Sequence, residues 1–355
     1  MDGGGSSSSS SSGGTDSGGP KPPLHGFVGG TGKITVFTVD DITGAWTLKK
    51  ENAISGSASF LAFDPARRRV VATNEDGGGQ IRSFTFDPTT GVLTPVNAQP
   101  AGGAGTTHVS LDPTGKWAFA ANYTGGTMSV FPIDGAGTLG AATATRSPGG
   151  MAHWIGTDPA GTRLFCVSLG ANVIAQYALN TTTGQLTDSG TASPPANAGP
   201  RHLAFHPNEK WAYAINETAI TLTPFDYDKS TGKLTAKNTI SALPLNTPKN
   251  GVSGAEIVVH PSGKTVYAST RGYNSIARFT IGADGNVTLA ENAMTGGNQP
   301  RSFGIDPEGT LLFAGNQAVG QVVGFKIDPT TGALTSMGKT VDIAGPTFVG
   351  LARIP

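Results

Sequence analysis

The sequence of 355 residues predicts an all-β protein, folded as a seven-bladed β-propeller with four antiparallel strands in each blade. The main observation is a repeat, because an Asp-Pro or His-Pro pair returns six times along the chain. The prolines of these pairs, which we call the repeat prolines, are Pro65, Pro113, Pro159, Pro207, Pro261 and Pro307. They lie 48, 46, 48, 54 and 46 residues apart, and a period of this length is the signature of a repeat architecture.

The repeat that begins at Pro200 shows what one unit contains. Residues 201–205, 211–215 and 220–227 form β-rich runs, and a fourth run starts at Leu234. Short runs of this kind, separated by Pro, Gly, Asn and Asp, predict antiparallel strands joined by hairpins. Four strands in about 40–50 residues are the content of one propeller blade. No stretch shows a sustained helical period with caps, which supports the all-β prediction.

The two ends of the chain predict how the ring closes. Residues 27–30 resemble the second strand of a repeat, and residues 33–39 and 46–49 supply a third and a fourth strand. The missing first strand stands at the other terminus, where residues 346–351 align with residues 300–305. We therefore expect the C-terminal strand to complete the N-terminal blade, so that six whole repeats and one composite make seven blades. Such closure removes exposed sheet edges.

Composition narrows the function. The chain has 24 basic and 24 acidic residues, and this neutral balance argues against a nucleic-acid surface. No apolar stretch reaches the 18 residues that a membrane-spanning helix needs. The single cysteine, Cys166, lies in an apolar run and is expected to be a buried structural thiol rather than a nucleophile.

Residues 1–23 form a separate segment, and residues 24–355 form the propeller domain. The segment is almost wholly Gly, Ser, Asp, Thr and Pro, with seven serines at 6–12, so we expect a disordered tether. It resembles the linker that follows the acylated cysteine of an exported bacterial lipoprotein. This resemblance implies a periplasmic or cell-surface protein, lipid-anchored in its full-length form. If the segment is an artificial linker, a cytoplasmic location is expected instead.

One rim of the predicted ring collects an unusual set of side chains. The innermost strand of each blade starts, and the second strand ends, at the same rim, because the two form a hairpin. The relevant positions lie six and five residues before each repeat proline and ten residues after it. The polar residues at these positions include His108, His153, Arg201, His202, Glu217, Glu256, Arg271, Arg301 and Gln317. Because neighbouring blades carry different residues in equivalent positions, we expect function at this rim.

A different position, nine residues after each repeat proline, holds a small polar residue in all six repeats. Its members are Asn74, Asn122, Ser168, Asn216, Thr270 and Asn316. Asparagine side chains satisfy backbone groups at strand ends, so we expect the four asparagines of this set to be structural.

The motifs resemble those of a known family. The Gly-Pro-Arg-His run at 199–202, continued by residues 203–209 and by Asn216-Glu217, resembles the seven-bladed propeller 6-phosphogluconolactonases of bacteria. Residues 299–303 with 315–317 are similar as well. A related branch contains fungal carboxymuconate-cyclising enzymes, with a proposed His, Arg, Glu, Arg site. The chain departs from the family pattern at Met151, where a second histidine is frequent, and at Thr270.

The resemblance implies a catalytic set at the rim. The residues in the matching places are His153, Arg201, Glu217 and Arg271. We expect His153 to carry protons and Glu217 to act as a base or to orient His153. We expect the two arginines to bind a substrate anion or the developing oxyanion. The expected supporting, substrate-binding residues are His202, Arg301, Gln317, His108 and Tyr123. Arginines beside the histidines would repel a cation, so no metal and no cofactor are expected.

Three functions remain open from the sequence. The first, which the motifs support best, is a metal-independent lactonase of carbohydrate metabolism that acts on a sugar or organic-acid lactone. The second is a muconate-type cycloisomerase, because lactonisation is the reverse of ring opening. The third is a non-catalytic propeller that binds a ligand or a protein partner. We expect a monomer with a small anionic substrate and no nucleic acid.

Overall fold

The computed structural model describes residues 21–76 and 78–355, and the predicted tether lies outside the described residues except for its last three. The described part of the chain contains twenty-nine β-strands, one short 3-10 turn (Pro65–Arg67) and no α-helix. It therefore offers no helix that could cross a membrane. The strands form seven separate sheets, numbered here as blades 1–7 in chain order. This confirms the predicted all-β, seven-bladed propeller.

The strands of the first four blades are as follows. Blade 1 contains β1 (Leu24–Gly29), β2 (Thr31–Val39) and β3 (Trp46–Ser57). Blade 2 contains β4 (Leu61–Asp64), β5 (Arg69–Asn74), β6 (Gln80–Phe86) and β7 (Leu93–Pro100). Blade 3 contains β8 (Thr106–Leu111), β9 (Trp117–Asn122), β10 (Thr127–Pro132) and β11 (Ala144–Arg146). Blade 4 contains β12 (Ala152–Thr157), β13 (Arg163–Ser168), β14 (Val173–Leu179) and β15 (Leu186–Ala192).

The remaining blades follow the same antiparallel order. Blade 5 contains β16 (Pro200–Phe205), β17 (Trp211–Asn216), β18 (Thr221–Asp228) and β19 (Lys233–Ala236), with the short β20 (Ile240–Ser241) also paired to β18. Blade 6 contains β21 (Ser253–Val259), β22 (Thr265–Arg271), β23 (Ser275–Ile281) and β24 (Val287–Met294). Blade 7 contains β25 (Pro300–Ile305), β26 (Leu311–Asn316), β27 (Gln321–Ile327) and β28 (Leu334–Asp342), and the chain ends with β29 (Phe348–Arg353).

The last strand closes the ring as the two termini predict. β29 pairs antiparallel with β1 and becomes the innermost strand of blade 1, with Gly29 opposite Phe348. At the start of β29, the Thr347 hydroxyl donates to the carbonyl oxygens of Gly29 and Ala58, at 3.0 and 3.1 Å. Closure therefore joins blade 1 to its neighbour as well as joining the two termini.

The end of β29 is fastened by the Arg353 side chain. Its Nε donates to Glu308 of blade 7 at 2.7 Å, and its Nη2 donates to Asp41 of blade 1 at 2.9 Å. A third bond runs from Nη1 to the carbonyl oxygen of Pro22 at 2.8 Å. The residues just before β1 are therefore held against the propeller.

The core lies between neighbouring blades rather than at one centre. Phe119 and Val130 of blade 3, for example, pack with Ile155 and Cys166 of blade 4, and all four are buried. Burial raises the pKa of the Cys166 thiol, which keeps the sulfur protonated. This confirms the expectation of a buried cysteine and gives it a packing role.

The repeat prolines mark the turns at the rim opposite to the polar residues. The Asp before Pro113 caps its turn, because Asp112 Oδ1 accepts the backbone N–H groups of Lys116 and Trp117 at 2.8 and 2.7 Å. In two repeats a histidine replaces this aspartate, and its imidazole reaches the next blade. The Nε2 atoms of His206 and His260 lie 2.8 Å from the carbonyl oxygens of Gly263 and Gly309. These two histidines are structural.

Asn122 illustrates the structural position at the end of each second strand. It is fully buried, its Oδ1 accepts from the Thr106 hydroxyl at 2.8 Å, and its Nδ2 donates to Ala101 O and Thr127 Oγ1. Thr270 occupies the equivalent position in blade 6 and bonds Ser275 Oγ at 2.8 Å. Both residues thus bond local backbone or hydroxyl groups, which for Asn122 is the expected structural role.

Removing residues 348–355 should abolish the closed fold, because it takes away the innermost strand of blade 1 and exposes the edge of β1. We expect insoluble protein, or a cooperative melt at a much lower temperature, measured by soluble yield and circular dichroism. Removing residues 1–20 is the control and should leave the melting temperature nearly unchanged. A stable, soluble protein without its last eight residues would contradict closure by β29.

The variant Asn122→Ala should lower the free energy of unfolding by about 1–3 kcal/mol, because it leaves buried partners without their hydrogen bonds. Urea unfolding measures the loss. An unfolding free energy equal to that of the wild type would contradict the structural role.

Candidate active site

Repeated β-bulges place the polar residues at the rim. In blade 5, Pro200 pairs with Asn216 and His202 pairs with Ile215, so Arg201 is an extra residue. The same irregularity occurs at Thr107, His153 and Arg301, and between Gly254 and Ile257. Consecutive side chains of a regular strand point to opposite faces, and a bulge changes that direction. Arg201 Nη1 and His202 Nε2 accordingly lie only 3.2 Å apart.

Three of the bulged strands bring a histidine pair and a carboxylate together. His153 Nδ1 lies 3.2 Å from His202 Nε2, and His202 Nδ1 lies 2.7 Å from Glu256 Oε1. All three side chains are buried. The second histidine expected from the family pattern at position 151 is a methionine here, and His202 of the next blade pairs with His153 instead.

Arg201 lies at the centre of this group and is itself buried. Its Nη1 donates to the carbonyl oxygen of Ala255 at 2.7 Å, and its Nε lies 3.0 Å from Glu217 Oε2. Burial, followed by repulsion from Arg271, lowers the pKa of Arg201 to about 9. The guanidinium remains charged at neutral pH and supplies a fixed positive charge beside the histidines.

Glu217 lies between two arginines. Its Oε1 is 3.0 Å from Arg271 Nη2, and its Oε2 faces Arg201. Arg271 also donates to the carbonyl oxygen of Gly254 at 3.1 Å. The carboxylate that bonds the histidine pair is Glu256, so the expected orientation of His153 by Glu217 has no counterpart among the described contacts.

The outer layer of the site is accessible to solvent. The side chains of Glu217, Arg271 and Arg301 are 26%, 17% and 22% exposed. Arg301 Nη2 lies 3.9 Å from Glu75, which leaves most of its donors unused. A small anion at the rim therefore meets Arg271 and Arg301 first.

The other expected substrate-binding residues lie at two depths. Tyr123 and Gln317 are partly exposed at the rim, and the Tyr123 ring contacts His153 edge-on at a centroid distance of 5.5 Å. His108 is buried below them, where its ring packs against Phe60 and its Nδ1 accepts from the Ile155 N–H at 3.4 Å. Direct contact with a molecule at the rim is open to Tyr123 and Gln317, whereas His108 and His202 lie beneath the surface.

The three histidines of the site, His108, His153 and His202, are neutral. Burial and the nearby Arg201 lower the pKa of His153 and of His202 well below the usual histidine range. Burial and His202 do the same for His108. Neutral imidazoles can accept or pass a proton but cannot carry a stable positive charge here.

Two cavities adjoin the polar group. The first, of about 10 Å³, has room for about one water molecule and is lined by His153, Arg201, Glu256 and Arg301 among others. The second, of about 430 Å³, is the central channel and is mostly apolar. Glu256 lines both cavities. The polar group is closed, so a substrate has to lie above it, against the outer arginines.

The structure brings together most of the residues that the repeat assigns to this rim, including Glu256, to which the sequence analysis gave no role. Glu256 stands five residues before Pro261, the position that His202 and His108 occupy in their own blades. That shared position was the available signal. Within the described residues, no group of three or more His, Cys, Asp or Glu side chains is arranged to hold a metal ion.

The fold and site define a propeller with a histidine, arginine and glutamate cluster at one rim, and comparisons with known proteins give the family. The profile described as "Lactonase, 7-bladed beta-propeller" matches residues 24–351. The chain belongs to this family, which confirms the resemblance of its motifs and makes the protein a lactonase-type hydrolase.

Curated relatives agree with this assignment. The chain is similar to the 6-phosphogluconolactonase of Bacillus subtilis, with 32% identity over 90% of this chain and 95% of that one. It is 29% identical to the 6-phosphogluconolactonase of Pectobacterium atrosepticum, over 88% of this chain and 93% of the relative.

Solved structures show the same architecture. A protein from Lactobacillus plantarum superposes with a TM-score of 0.87 at 26% identity, covering 93% of this chain and 99% of its own. The periplasmic gluconolactonase of Pseudomonas aeruginosa has a TM-score of 0.86 at 24% identity, covering 94% and 100%, and shows the shared fold.

Small anions should stabilise the protein, because Arg271 and Arg301 present guanidinium groups at the rim and binding to the folded state alone raises stability. We expect millimolar phosphate, citrate or gluconate to raise the melting temperature in a thermal-shift assay. Chloride at equal ionic strength is the control, and Arg301→Ala should reduce the effect. Identical melting curves in citrate and chloride would contradict an anion site.

Proposed function

We propose that this protein hydrolyses the ester bond of an anionic sugar or organic-acid lactone at the rim. The observation that carries the proposal is that the His153 imidazole and the Arg201 guanidinium both lie 3.2 Å from His202 Nε2, with burial and Arg201 keeping His153 neutral. Lactone hydrolysis needs a proton acceptor for the attacking water and a positive charge for the developing oxyanion. This pair of groups supplies both.

The accessible arginines bind the substrate. Arg271 and Arg301 hold its anionic group, since guanidinium matches carboxylate and phosphate oxygens geometrically. Arg201, fixed by Ala255 O and Glu217, stabilises the charge that forms on the carbonyl oxygen. Tyr123 and Gln317 border the sugar or acid chain at the rim. These contacts place the carbonyl near His153.

His153 takes the proton of the attacking water and returns it to the leaving alkoxide. Glu217 positions the two arginines that flank it, because its two oxygens each face one of them at 3.0 Å. The reaction proposed for these residues uses no metal and no cofactor.

The substrate is one that occurs outside the cytoplasm, and the protein acts there as a monomer. Support comes from the composition of residues 1–23, which resembles a lipoprotein linker. Cell fractionation of the native host tests the location, with export predicted and a cytosolic pool contradicting it. Light scattering of the purified protein tests the monomer.

A panel of lactones, followed by proton release, tests the activity directly. We expect hydrolysis of anionic sugar or organic-acid lactones at a higher kcat/KM than of neutral lactones of the same ring size. A muconate-type diacid belongs in the panel, because its cyclisation without lactone hydrolysis would identify a cycloisomerase. A protein inactive on every compound would contradict the proposed function.

The variants His153→Ala, Glu217→Gln and Arg271→Ala should each remain folded and lose about 100-fold to 10,000-fold in kcat/KM. The matched control is His260→Gln, which removes a buried histidine at the opposite rim. It should keep wild-type turnover at a temperature where it is folded. Wild-type turnover by His153→Ala would contradict the proposed site.

A further inference from the structure

The mechanism above leaves a buried carboxylate without a task. Glu256 accepts two hydrogen bonds at Oε1, from His202 Nδ1 at 2.7 Å and from the Ile257 N–H at 3.0 Å. Its own N–H donates to Ser269 Oγ at 3.0 Å, which fixes the backbone at the bulge. A buried carboxylate has an energetic cost, and one held this firmly next to the site suggests a function.

We propose that His153, His202 and Glu256 form a proton relay in which Glu256 receives the proton released by the attacking water. The proposal rests on the proposed lactonase function and deepens it. It assigns Glu256 as the proton acceptor at the end of the relay and His202 as the residue that connects it to His153.

The hydrogen bonds set the tautomers. An ionised Glu256 can only accept, so His202 carries its proton on Nδ1 and presents an unprotonated Nε2. That Nε2 accepts from His153 Nδ1, at 3.2 Å, and from Arg201 Nη1, at 3.2 Å. A neutral His153 with its proton on Nδ1 has a free lone pair on Nε2. The relay therefore presents His153 in the basic form that the reaction requires.

The proton transfers balance without forming an imidazolium ion. As water attacks the carbonyl carbon, its proton passes to His153 Nε2, the Nδ1 proton of His153 passes to His202 Nε2, and the Nδ1 proton of His202 passes to Glu256. Both histidines end neutral in the opposite tautomer, and Glu256 ends protonated. Collapse of the tetrahedral intermediate breaks the ring C–O bond, and the reverse transfers give the leaving alkoxide its proton.

The surrounding charges favour this route. Arg201 on β16 and Arg301 on β25 face Glu256 together with His202, and His108 and His153 lie beyond His202. Burial, and after it the charge of Arg201, lowers the pKa of His153 and of His202 and so disfavours a protonated histidine. Burial raises the pKa of Glu256 to about 7, although Arg201 opposes this effect. Glu256 can thus gain and lose a proton at neutral pH.

The central channel gives Glu256 a second route to solvent. Glu256 lines the channel together with His108 and Ser110. Among the described residues that line it, His108 Nε2 and Ser110 Oγ are buried atoms without a hydrogen-bond partner, which is typical of positions that bind water. Water in the channel can exchange a proton with Glu256 without passing the substrate.

The test is the pH dependence of kcat in the wild type and in Glu256→Gln. Glutamine still accepts from His202 but cannot take up a proton. In the wild type, kcat should fall as pH drops through about 7, because protonated Glu256 cannot receive a proton. We expect Glu256→Gln to lose about 100-fold in kcat at pH 8 with little change in KM. The acidic limb of the profile, which is the fall of kcat below about pH 7, should be absent from this variant. Glu256→Asp should retain the limb at a reduced rate.

The matched control is Glu291→Gln, since Glu291 also accepts a backbone N–H and lies outside the site. It should keep the wild-type pH profile of kcat.

If Glu256→Gln does not fold, the proton inventory of the wild type decides. A curved dependence of kcat on the deuterium fraction of the solvent supports the relay, and a linear dependence overturns it. An active wild type with an unchanged limb in Glu256→Gln overturns the relay alone. A wild type inactive on all lactones overturns the proposed function as well.

Discussion

The antiparallel pairing of β29 with β1 joins the two ends of the chain and holds seven innermost strands around one axis. The site depends on this closed ring, because its residues come from blades far apart in sequence. His202 meets His153 across 49 residues and Glu256 across 54 residues. Each contact requires neighbouring innermost strands to keep a fixed distance. The fastening of β29 by Thr347 and Arg353 therefore supports the geometry of the opposite blades too.

Within that ring, bulges and burial determine the chemistry. The extra residue at each bulge turns two consecutive side chains toward the rim, so five strands supply a dense polar layer. Burial then affects the arginines and the histidines differently. Glu217 and the Ala255 carbonyl oxygen hold the buried Arg201, Glu217 also holds Arg271, and burial keeps the nearby histidines neutral. Such buried charges contribute little to stability, which is consistent with a layer kept for function.

The repeat in the sequence predicted the fold, and it also predicted which side chains lie at the polar rim. The repeat prolines assign every rim residue to an equivalent position, and the incomplete repeats at the two termini indicate closure. The contacts between these side chains could not be predicted from the sequence, because they depend on the direction in which each side chain points at its bulge. Glu217 and Glu256 occupy different rim positions, and only the geometry between blades shows that Glu256 meets His202 while Glu217 meets the arginines.

The central claim is that this rim, above His153 and between Arg271 and Arg301, is where the lactone binds and reacts. A crystal structure with a bound hydroxy acid, the product of lactone hydrolysis, tests it most directly. The account predicts a carboxylate about 2.7–3.1 Å from a guanidinium nitrogen of Arg271 or Arg301, with an oxygen in reach of the His153 ring. Binding at the opposite rim, beside the turns of the repeat prolines, would contradict it.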